Sequence, residues 1–332
     1  MEPKNLRVDF HTHIIPHDLP DYAAKYNDSR FPVLNHQCEC GAEILKDDKV
    51  FRKITDHAWD PKKRIEDMDK ENIDIQVLSP IPVTLSYWAD DSEGLEMSKY
   101  QNDFISSVVR QHPDRFVGLG TVPLQNTEEA IKEMHRAVNE NGLRGIQIGS
   151  NVNGLNLDDE NLYPFFAEAA KKGVPLFVHP WQTLGGERLQ KYNTMYTVGM
   201  PSETALAAAS VIMSGLLSKL PNLKLCFAHG GGSLPYILPR MDKGWEVWPD
   251  LRKTEKLPSY YAKQLYYDSL VYDPVNLNYM IQKFGAEKII SGSDYPFLLR
   301  ESPAGRVVDN LTVSDEEKQL MLGQNAIRFL GL

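Results

Sequence analysis

The sequence predicts an α/β protein with a single (β/α)8 barrel, the TIM-barrel fold, and three features point to it. Eight short apolar runs alternate with longer amphipathic stretches over nearly all of the 332 residues. Most of these runs are continuously apolar, as expected of parallel strands that are buried on both faces. No Gly-rich phosphate-binding loop follows the first run, which disfavours the alternative of a doubly wound open sheet.

The predicted elements follow one another as strand and helix along the chain. Helical patterns cover residues 128–142 and 160–173, and the second lies between the Asp-rich "LDDE" and Gly173, a sensible pair of helix caps. No internal repeat or linker divides the chain, so we expect one barrel domain over residues 1–332. The strands are predicted near residues 6–11, 73–79, 115–123, 145–149, 174–180, 223–230, 264–270 and 288–296.

The main irregularity is the segment 16–58, between the first strand and the first convincing helix. A structureless loop of that length is uncommon inside a compact domain. We therefore predict a small insertion with some structure of its own. It should lie over the face of the barrel where active sites form.

Composition restricts the class of protein. The formal net charge of −9 disfavours a nucleic-acid partner, because a phosphate backbone would be repelled. No window approaches the roughly 18 apolar residues of a membrane span, and the N-terminus shows no apolar signal-peptide core. Cys38, Cys40 and Cys226 are a sparse set that suits a reducing cytosol, and the pair in "HQCEC" is expected to be surface thiols. A cytoplasmic location is therefore predicted.

Histidines and one aspartate stand where predicted strands end. His11 and His13 in "VDFHTH" point to the same side, because side chains at i and i+2 share a face of a strand. His179, His229 and Asp294 end the fifth, sixth and eighth strands. Any one of them alone is compatible with a satisfied core residue. Five on one rim are poorly explained by packing, since each would need its own buried partner.

We predict one divalent metal ion, zinc, bound by His11, His13, His179 and Asp294. Three histidines and a carboxylate leave an open position for water, as in catalytic rather than structural zinc sites. His229 is predicted to be a general acid/base instead of a ligand, because an ordinary histidine pKa of about 6.5 suits proton exchange. His229 and Asp294 are thus the predicted catalytic residues, and no organic cofactor is expected.

The motifs around these residues resemble those of the decarboxylase branch of the amidohydrolase superfamily. They are "DFHTHIIP", "FVHPW", "CFAHGGGS" and "GSDYPF", and the similarity extends over nearly the full chain. Within that branch the chain is most similar to the carboxymuconate-semialdehyde decarboxylases of tryptophan and kynurenine catabolism. The resemblance implies the ligands and the catalytic histidine named above, and nonoxidative decarboxylation of a small dicarboxylate.

The resemblance also implies substrate-binding residues. Arg52 in "VFRKI" matches an arginine that binds a substrate carboxylate. Arg240 in "LPYILPRMD" matches one that enters the neighbouring subunit's site, which implies a homodimer. Trp181 and Phe297, in two of the matching motifs, are expected to bind the substrate with them. Planar guanidinium groups suit carboxylates, although from the residues alone both arginines would be placed on solvated faces.

Several positions depart from the pattern of that group. Gln182 replaces a usual Asp, Tyr196 stands near a usual Trp, and a common histidine is replaced near Asn151. Leu298 and Arg300 are further changes, and all five positions are expected around the substrate pocket. The fourth strand, "GIQIGSN", lacks the bridging lysine of hydrolytic branches, which points to one metal ion rather than two.

Three alternative functions stay open. An aromatic hydroxy-acid decarboxylase of the resorcylate type shares the ligands, although two arginines and "WDPKKR" favour the dicarboxylate. A metal-dependent hydrolase of a lactone or an amide belongs to the same superfamily. A zinc-stabilised binding protein is the third, and room for water at the metal disfavours it.

Overall fold

The computed structural model describes residues 6–332, and its centre is a barrel of eight parallel strands. The barrel closes between the first strand and the segment after the last, where the His13 N–H donates to the Tyr295 carbonyl at 2.7 Å. The predicted (β/α)8 barrel is therefore confirmed. The barrel strands, in spatial order, are β1 (Val8–Ile14), β5 (Ile75–Pro80), β6 (Phe116–Gly120), β7 (Gly145–Gly149), β10 (Leu176–His179), β11 (Leu225–Phe227), β12 (Tyr266–Asp268) and β13 (Ile289–Ile290). The other strands are β2 (Val33–Cys38), β3 (Gly41–Lys46), β4 (Lys49–Thr55), β8 (Asn151–Val152) and β9 (Leu155–Asn156).

The last barrel strand is shorter than the apolar run near 288–296 predicted. Gly292 follows β13, and a Cβ atom there would lie 2.6 Å from the Cβ of His11, so only glycine allows this approach to β1. Asp294 then adopts a left-handed φ of 68°, which ends regular strand geometry. Its N–H still donates to the His11 carbonyl at 2.8 Å, so the segment stays attached to β1.

Helices connect successive barrel strands, as the amphipathic stretches predicted. Asn126 caps α4 (Thr127–Asn139), and Gly173 ends α5 (Tyr163–Lys172) with a left-handed φ of 68°. Within residues 6–332, no helix has both the length and the apolar character needed to cross a membrane. The α-helices are α1 (Tyr22–Tyr26), α2 (Pro61–Glu71), α3 (Asp91–Gln111), α4 (Thr127–Asn139), α5 (Tyr163–Lys172), α6 (Met200–Met213), α7 (Leu216–Lys219), α8 (Leu234–Val247), α9 (Pro258–Ala262), α10 (Pro274–Phe284), α11 (Arg306–Asp309), α12 (Asp315–Gln319) and α13 (Asn325–Leu330). Met195–Gly199 and Leu320–Gln324 are π-helical, and the 3₁₀ turns are Asp56–Ala58, Pro82–Thr84, Glu160–Leu162, Gly186–Arg188, His229–Gly231, Pro249–Leu251 and Ala286–Lys288.

Aromatic rings fill the lower part of the barrel interior. Phe10 packs edge to face against Phe177 with ring centroids 5.1 Å apart, and Phe329 of α13 lies 5.6 Å from Phe10. All three rings are buried. His11 lies 4.9 Å from Phe177, so the strand-end histidines rest directly on this apolar layer.

The segment 16–58 contains the short helix α1 and a three-stranded antiparallel sheet of β2, β3 and β4. One face of this sheet is apolar, with Ile44 and Ile54 buried in a cluster of their own. Arg52 lies opposite Ile44 in the register and two residues before Ile54, so it belongs to the same face. Phe297, which follows the last barrel strand, packs against that cluster and joins the insertion to the barrel.

One prediction within the insertion is wrong. Cys38 and Cys40 were expected to be separate surface thiols, whereas the structure joins them by a disulfide. The tight turn between β2 and β3 leaves their Cα atoms 5.2 Å apart, which lies within the range that a disulfide spans. Cys226 is free and buried.

Candidate metal centre and active site

Four side chains converge at the carboxyl end of the barrel. Ligand atoms of His11, His13, His179 and Asp294 all lie within 4.8 Å of one another. The Asp294 Oδ1 atom lies 3.2 Å from His13 Nε2 and 3.5 Å from His11 Nε2. The three histidines are buried, while 13% of the Asp294 side chain is exposed. The structure therefore brings together the four residues that the sequence predicted as metal ligands.

The outer nitrogen of each histidine is already engaged. His13 Nδ1 lies 3.0 Å from the Pro80 carbonyl, and His179 Nδ1 lies 3.1 Å from the Pro180 carbonyl. Because a carbonyl only accepts, both Nδ1 atoms carry the proton and both Nε2 atoms present a lone pair to the centre. In the part of the chain that the structure describes, His179 Nε2 has no hydrogen-bond partner.

These donors fit one divalent cation. Nε2 atoms of His11 and His13 face each other at 3.1 Å, and a bound cation between the ligands would satisfy both lone pairs. Burial lowers the pKa of His13 to about 4 and that of His179 well below its ordinary value, which keeps both rings neutral. Three nitrogens and one carboxylate oxygen suit zinc and other transition-metal ions.

Asp294 supplies the negative charge of the cluster. Burial raises the pKa of its carboxyl group, but the neighbouring His13 and His11 rings lower it by more, and the pKa falls to about 2. The carboxylate is therefore ionised at neutral pH. Its left-handed backbone conformation is held by the hydrogen bond to the His11 carbonyl described above, which aims the side chain into the barrel mouth.

His229 lies beside the four ligands rather than among them. Its ring centroid is 5.3 Å from that of His11 and 5.4 Å from that of His179. The residue is half-buried, and among the described residues its Nδ1 atom has no hydrogen-bond partner. Burial lowers the pKa of the ring, which leaves it neutral at pH 7 and makes its protonated form a stronger acid. This position suits the predicted role as a proton carrier.

Asp268, which the sequence analysis missed, is the main polar support of the cluster. Its Oδ2 atom lies 2.6 Å from His11 Nδ1 and accepts the backbone N–H of His229 at 2.9 Å. Burial opposes the charged form of His11, but the hydrogen bond to Asp268 and the charge of Asp294 raise the His11 pKa above its ordinary value. Asp268 ends the seventh strand in "YYDS", so the strand-end rule that selected Asp294 would have found it.

The insertion places a cation at the mouth of this site. The guanidinium carbon of Arg52 lies 4.0 Å from the centroid of Phe297 and 5.2 Å from that of Tyr196. The ring of Phe297 in turn lies 5.3 Å from that of His13. Arg52 and Phe297, both predicted to bind the substrate, thus lie next to the ligand cluster together with Tyr196.

Trp181 is held by a buried polar network that sequence reasoning did not foresee. Its carbonyl accepts the Asn151 side-chain amide at 2.6 Å, and the buried Glu203 carboxylate accepts the same amide at 2.9 Å. Glu203 also accepts the Leu184 N–H at 2.9 Å, and Gln182 between them has a left-handed φ of 45°. Asn151 and Glu203 therefore determine the path of residues 181–184.

Three other predicted residues lie elsewhere in the single chain. Arg240 is exposed on α8, and the Leu298 side chain is fully exposed. Arg300 pairs with Glu71 at 2.8 Å and lies over the ring of Tyr295, so its contacts are with α2. The role of Arg240 in a partner's site stays a prediction.

Comparison with known proteins places this arrangement in a family. The family described as Amidohydrolase matches residues 8–332. The chain belongs to the amidohydrolase family. It is 43% identical to 2-amino-3-carboxymuconate-6-semialdehyde decarboxylase of Dictyostelium discoideum, over 99% of this chain and 92% of that protein. It is 34% identical to the protein of the same name from Caenorhabditis elegans, over 99% of this chain and 95% of that protein.

A solved decarboxylase structure has the same fold. 5-Carboxyvanillate decarboxylase from Sphingomonas paucimobilis superposes with a TM-score of 0.86 at 22% identity, covering 99% of each chain. The predicted family membership is confirmed, and with it the prediction of an enzyme of the decarboxylase class.

Proposed function

We propose that this amidohydrolase catalyses the nonoxidative decarboxylation of 2-amino-3-carboxymuconate-6-semialdehyde or a close carboxymuconate relative, with one zinc ion per subunit. The observation that carries the proposal is the position of Arg52. Its guanidinium lies over Phe297, whose ring contacts the ligand histidine His13. A guanidinium that can bind a carboxylate thus lies next to the candidate metal ligands, in a chain that is 43% and 34% identical to two proteins named for that substrate.

Each residue of the site has a separate proposed role. His11, His13, His179 and Asp294 would hold the metal ion, which when bound supplies Lewis-acid activation of water and of substrate oxygen atoms. Arg52 binds a substrate carboxylate and orients the substrate over the cluster. Trp181 and Phe297 provide the apolar walls that exclude water and strengthen these charge interactions.

His229, neutral at rest, takes up and releases the proton that the reaction needs. A proton is delivered to the carbon that carries the leaving carboxylate, and a new C–H bond forms there. The conjugated system accepts the resulting electron deficiency. The carbon–carbon bond to the carboxylate then breaks, its electron pair restores the conjugation, and carbon dioxide leaves. His229 is close enough to the cluster to serve as the proton partner, and its low pKa favours release of the proton.

The same proposal includes assembly and location. Arg240, exposed on α8, is proposed to enter the site of the neighbouring subunit in a homodimer and to bind a second carboxylate. A cytoplasmic location is proposed with it. Disruption of the dimer with retained zinc and unchanged turnover would contradict the shared site.

A metal-controlled substrate panel tests the proposal. The purified protein is stripped with a chelator and reloaded separately with zinc, cobalt, manganese or iron. Each form is then offered the carboxymuconate semialdehyde, a dihydroxybenzoate of the resorcylate type, and a simple lactone or amide. Loss of semialdehyde absorbance with equimolar carbon dioxide, fastest with zinc, is the expected result. Faster turnover of the dihydroxybenzoate would overturn the substrate, and acid release from the lactone or amide without carbon dioxide would overturn the reaction class.

A further inference from the structure

We propose that Asp268 is a positioning residue that links the metal ligand His11 to the proton carrier His229. The inference rests on the proposed function, because it assigns these two histidines different tasks in one reaction. Asp268 ends β12 and is completely buried. Its two oxygens accept from the side chain of His11 on β1 and from backbone N–H groups at the end of the neighbouring strand β11.

The contact with His11 sets which nitrogen of that ring faces the metal. Asp268 Oδ2 lies 2.6 Å from His11 Nδ1, so the proton resides on Nδ1 and Nε2 is left free to ligate. His13 and His179 make the corresponding contact with neutral carbonyls, at 3.0 Å and 3.1 Å. Of the three histidine ligands, His11 is therefore the one whose basicity and orientation depend on a charged partner.

The contact with the backbone after β11 sets the direction of the His229 side chain. The His229 N–H donates to Asp268 Oδ2 at 2.9 Å, and the Gly230 N–H donates to Oδ1 at 2.8 Å. Both residues have left-handed φ values, 54° and 62°, which are uncommon for a non-glycine residue such as His229. Charge-assisted hydrogen bonds to two successive N–H groups hold this turn. This turn directs the His229 ring toward the four candidate ligands.

The Asp268 carboxylate has no free acceptor position for a hydrogen bond from the substrate. Leu270 donates a further N–H to Oδ1 at 3.1 Å, so the two oxygens accept four hydrogen bonds in all. A carboxylate engaged in this way acts through its neighbours. The geometry thus assigns Asp268 to positioning, and proton transfer stays with His229.

The test is Asp268→Asn, because an amide keeps the size of the side chain and turns one oxygen into a donor. The amide N–H₂ would face His11 Nδ1 and drive the ring to the other tautomer, with its proton on Nε2. Zinc affinity, measured by competition with a chromophoric chelator, is expected to fall about 10–100-fold. The ¹⁵N spectrum of the metal-free protein is expected to show the changed His11 tautomer. Glu133→Gln, which alters a buried carboxylate bonded to Asn102 and Arg136 on α4, is the matched control and should change neither quantity.

A double-mutant cycle tests the second link. At saturating zinc, Asp268→Asn should lower kcat by about tenfold or more with KM within a few-fold, because His229 is no longer aimed. Added to His229→Asn, the same substitution should cost no further kcat. Additive losses would overturn the link to His229, and an unchanged His11 tautomer with unchanged zinc affinity would overturn the link to His11.

Two readouts keep this inference separate from the proposed function. Zinc affinity and the His11 tautomer need no substrate, so they can support Asp268 even where the semialdehyde is not turned over. If Asp268→Asn does not fold, as judged by circular dichroism, the tautomer of the His11 ring in the wild-type protein tests the proposal instead. A neutral His11 ring that carries its proton on Nε2 in the metal-free wild-type protein would overturn the proposal.

Discussion

The barrel mouth and the insertion over it are built in different ways. At the mouth, the histidine ligands are buried, and the outer nitrogen of each is engaged by a carboxylate or a carbonyl. In the insertion, β2 is largely exposed, and Arg52 is positioned by the faces of Phe297 and Tyr196. Contact with ring faces fixes a guanidinium less precisely than paired hydrogen bonds do. We therefore propose that the barrel determines the chemistry and that the insertion selects the substrate.

The largest effect on activity is expected when one of the candidate metal ligands at the barrel mouth is removed. His179→Ala removes an Nε2 atom that has no other partner among the described residues, so metal binding should fail. Loss of several kcal/mol of transition-state stabilisation corresponds to a decrease of about 10⁴-fold in kcat/KM. Elemental analysis and steady-state kinetics measure both quantities. His135→Ala on α4, where the ring pairs with Glu168 away from the cluster, is the control. Full metal content in His179→Ala would contradict the ligand assignment.

The second largest effect on activity is expected from a substitution of His229, and it distinguishes the proposed proton carrier from the candidate metal ligands. His229→Asn should keep the metal, because the ring is not among the four converging ligands. Asn tolerates the left-handed backbone at this position, so the turn should survive. Loss of general acid/base catalysis is expected to lower kcat by roughly 10²–10³-fold with KM nearly unchanged. Near-normal turnover with bound zinc would rule out this role.

A smaller effect is expected from the insertion, and it should appear in KM. Arg52→Gln removes a charged donor for the substrate carboxylate, worth about 1.5–3 kcal/mol, so KM should rise roughly 10–100-fold. Metal content should stay at one ion per subunit and kcat within a few-fold. Lys53→Gln is the matched control, since Lys53 lies on the opposite, exposed face of β4 and pairs with Glu43. A fall in kcat at unchanged KM would mean that the insertion takes part in the chemistry.

The smallest effect concerns stability behind the mouth. Glu301 is buried after β13, and burial raises its pKa to about 7. Between about pH 5 and 7 the unfolded chain has released this proton while the folded chain still binds it. The free energy of unfolding should therefore fall as pH rises, by roughly 3 kcal/mol at most. Glu301→Gln should remove that part of the slope in urea unfolding at pH 5 and pH 8, while the exposed Glu255→Gln keeps it. An identical slope in Glu301→Gln would contradict the raised pKa.

Most of the candidate site at the barrel mouth could be predicted from sequence, because the position of a residue at a strand end follows from its near neighbours in the chain. A residue that ends a parallel strand of a barrel faces the active site whatever its neighbours in sequence are. This rule brought together His11, His13, His179 and Asp294, which the structure indeed places within one cluster. It applied equally to Asp268, which was missed because no recognised motif surrounded it.

Contacts between distant segments were out of reach of the same rules. The Arg52 guanidinium lies over Phe297 although 245 positions separate the two residues in the chain, and only the packing of the insertion on the barrel decides it. Glu203 on α6 fixes the path of residues 181–184 through Asn151 for the same reason. Arg300 was expected near the pocket, and its pairing with Glu71 depends on how the last loop folds back on α2.

The sequence by itself determined the barrel, its family and the four candidate ligands, because strand-end chemistry repeats along the chain in a recognisable order. The tertiary structure alone decided how those ligands are supported: the bridge from Asp268 to His11 and His229, the disulfide between Cys38 and Cys40, and the place of Arg52 over the site. The physical reason is one of range. Periodicity and strand ends follow from neighbouring residues, whereas hydrogen-bond partners and ring contacts follow from the closure of the barrel and the docking of its insertion.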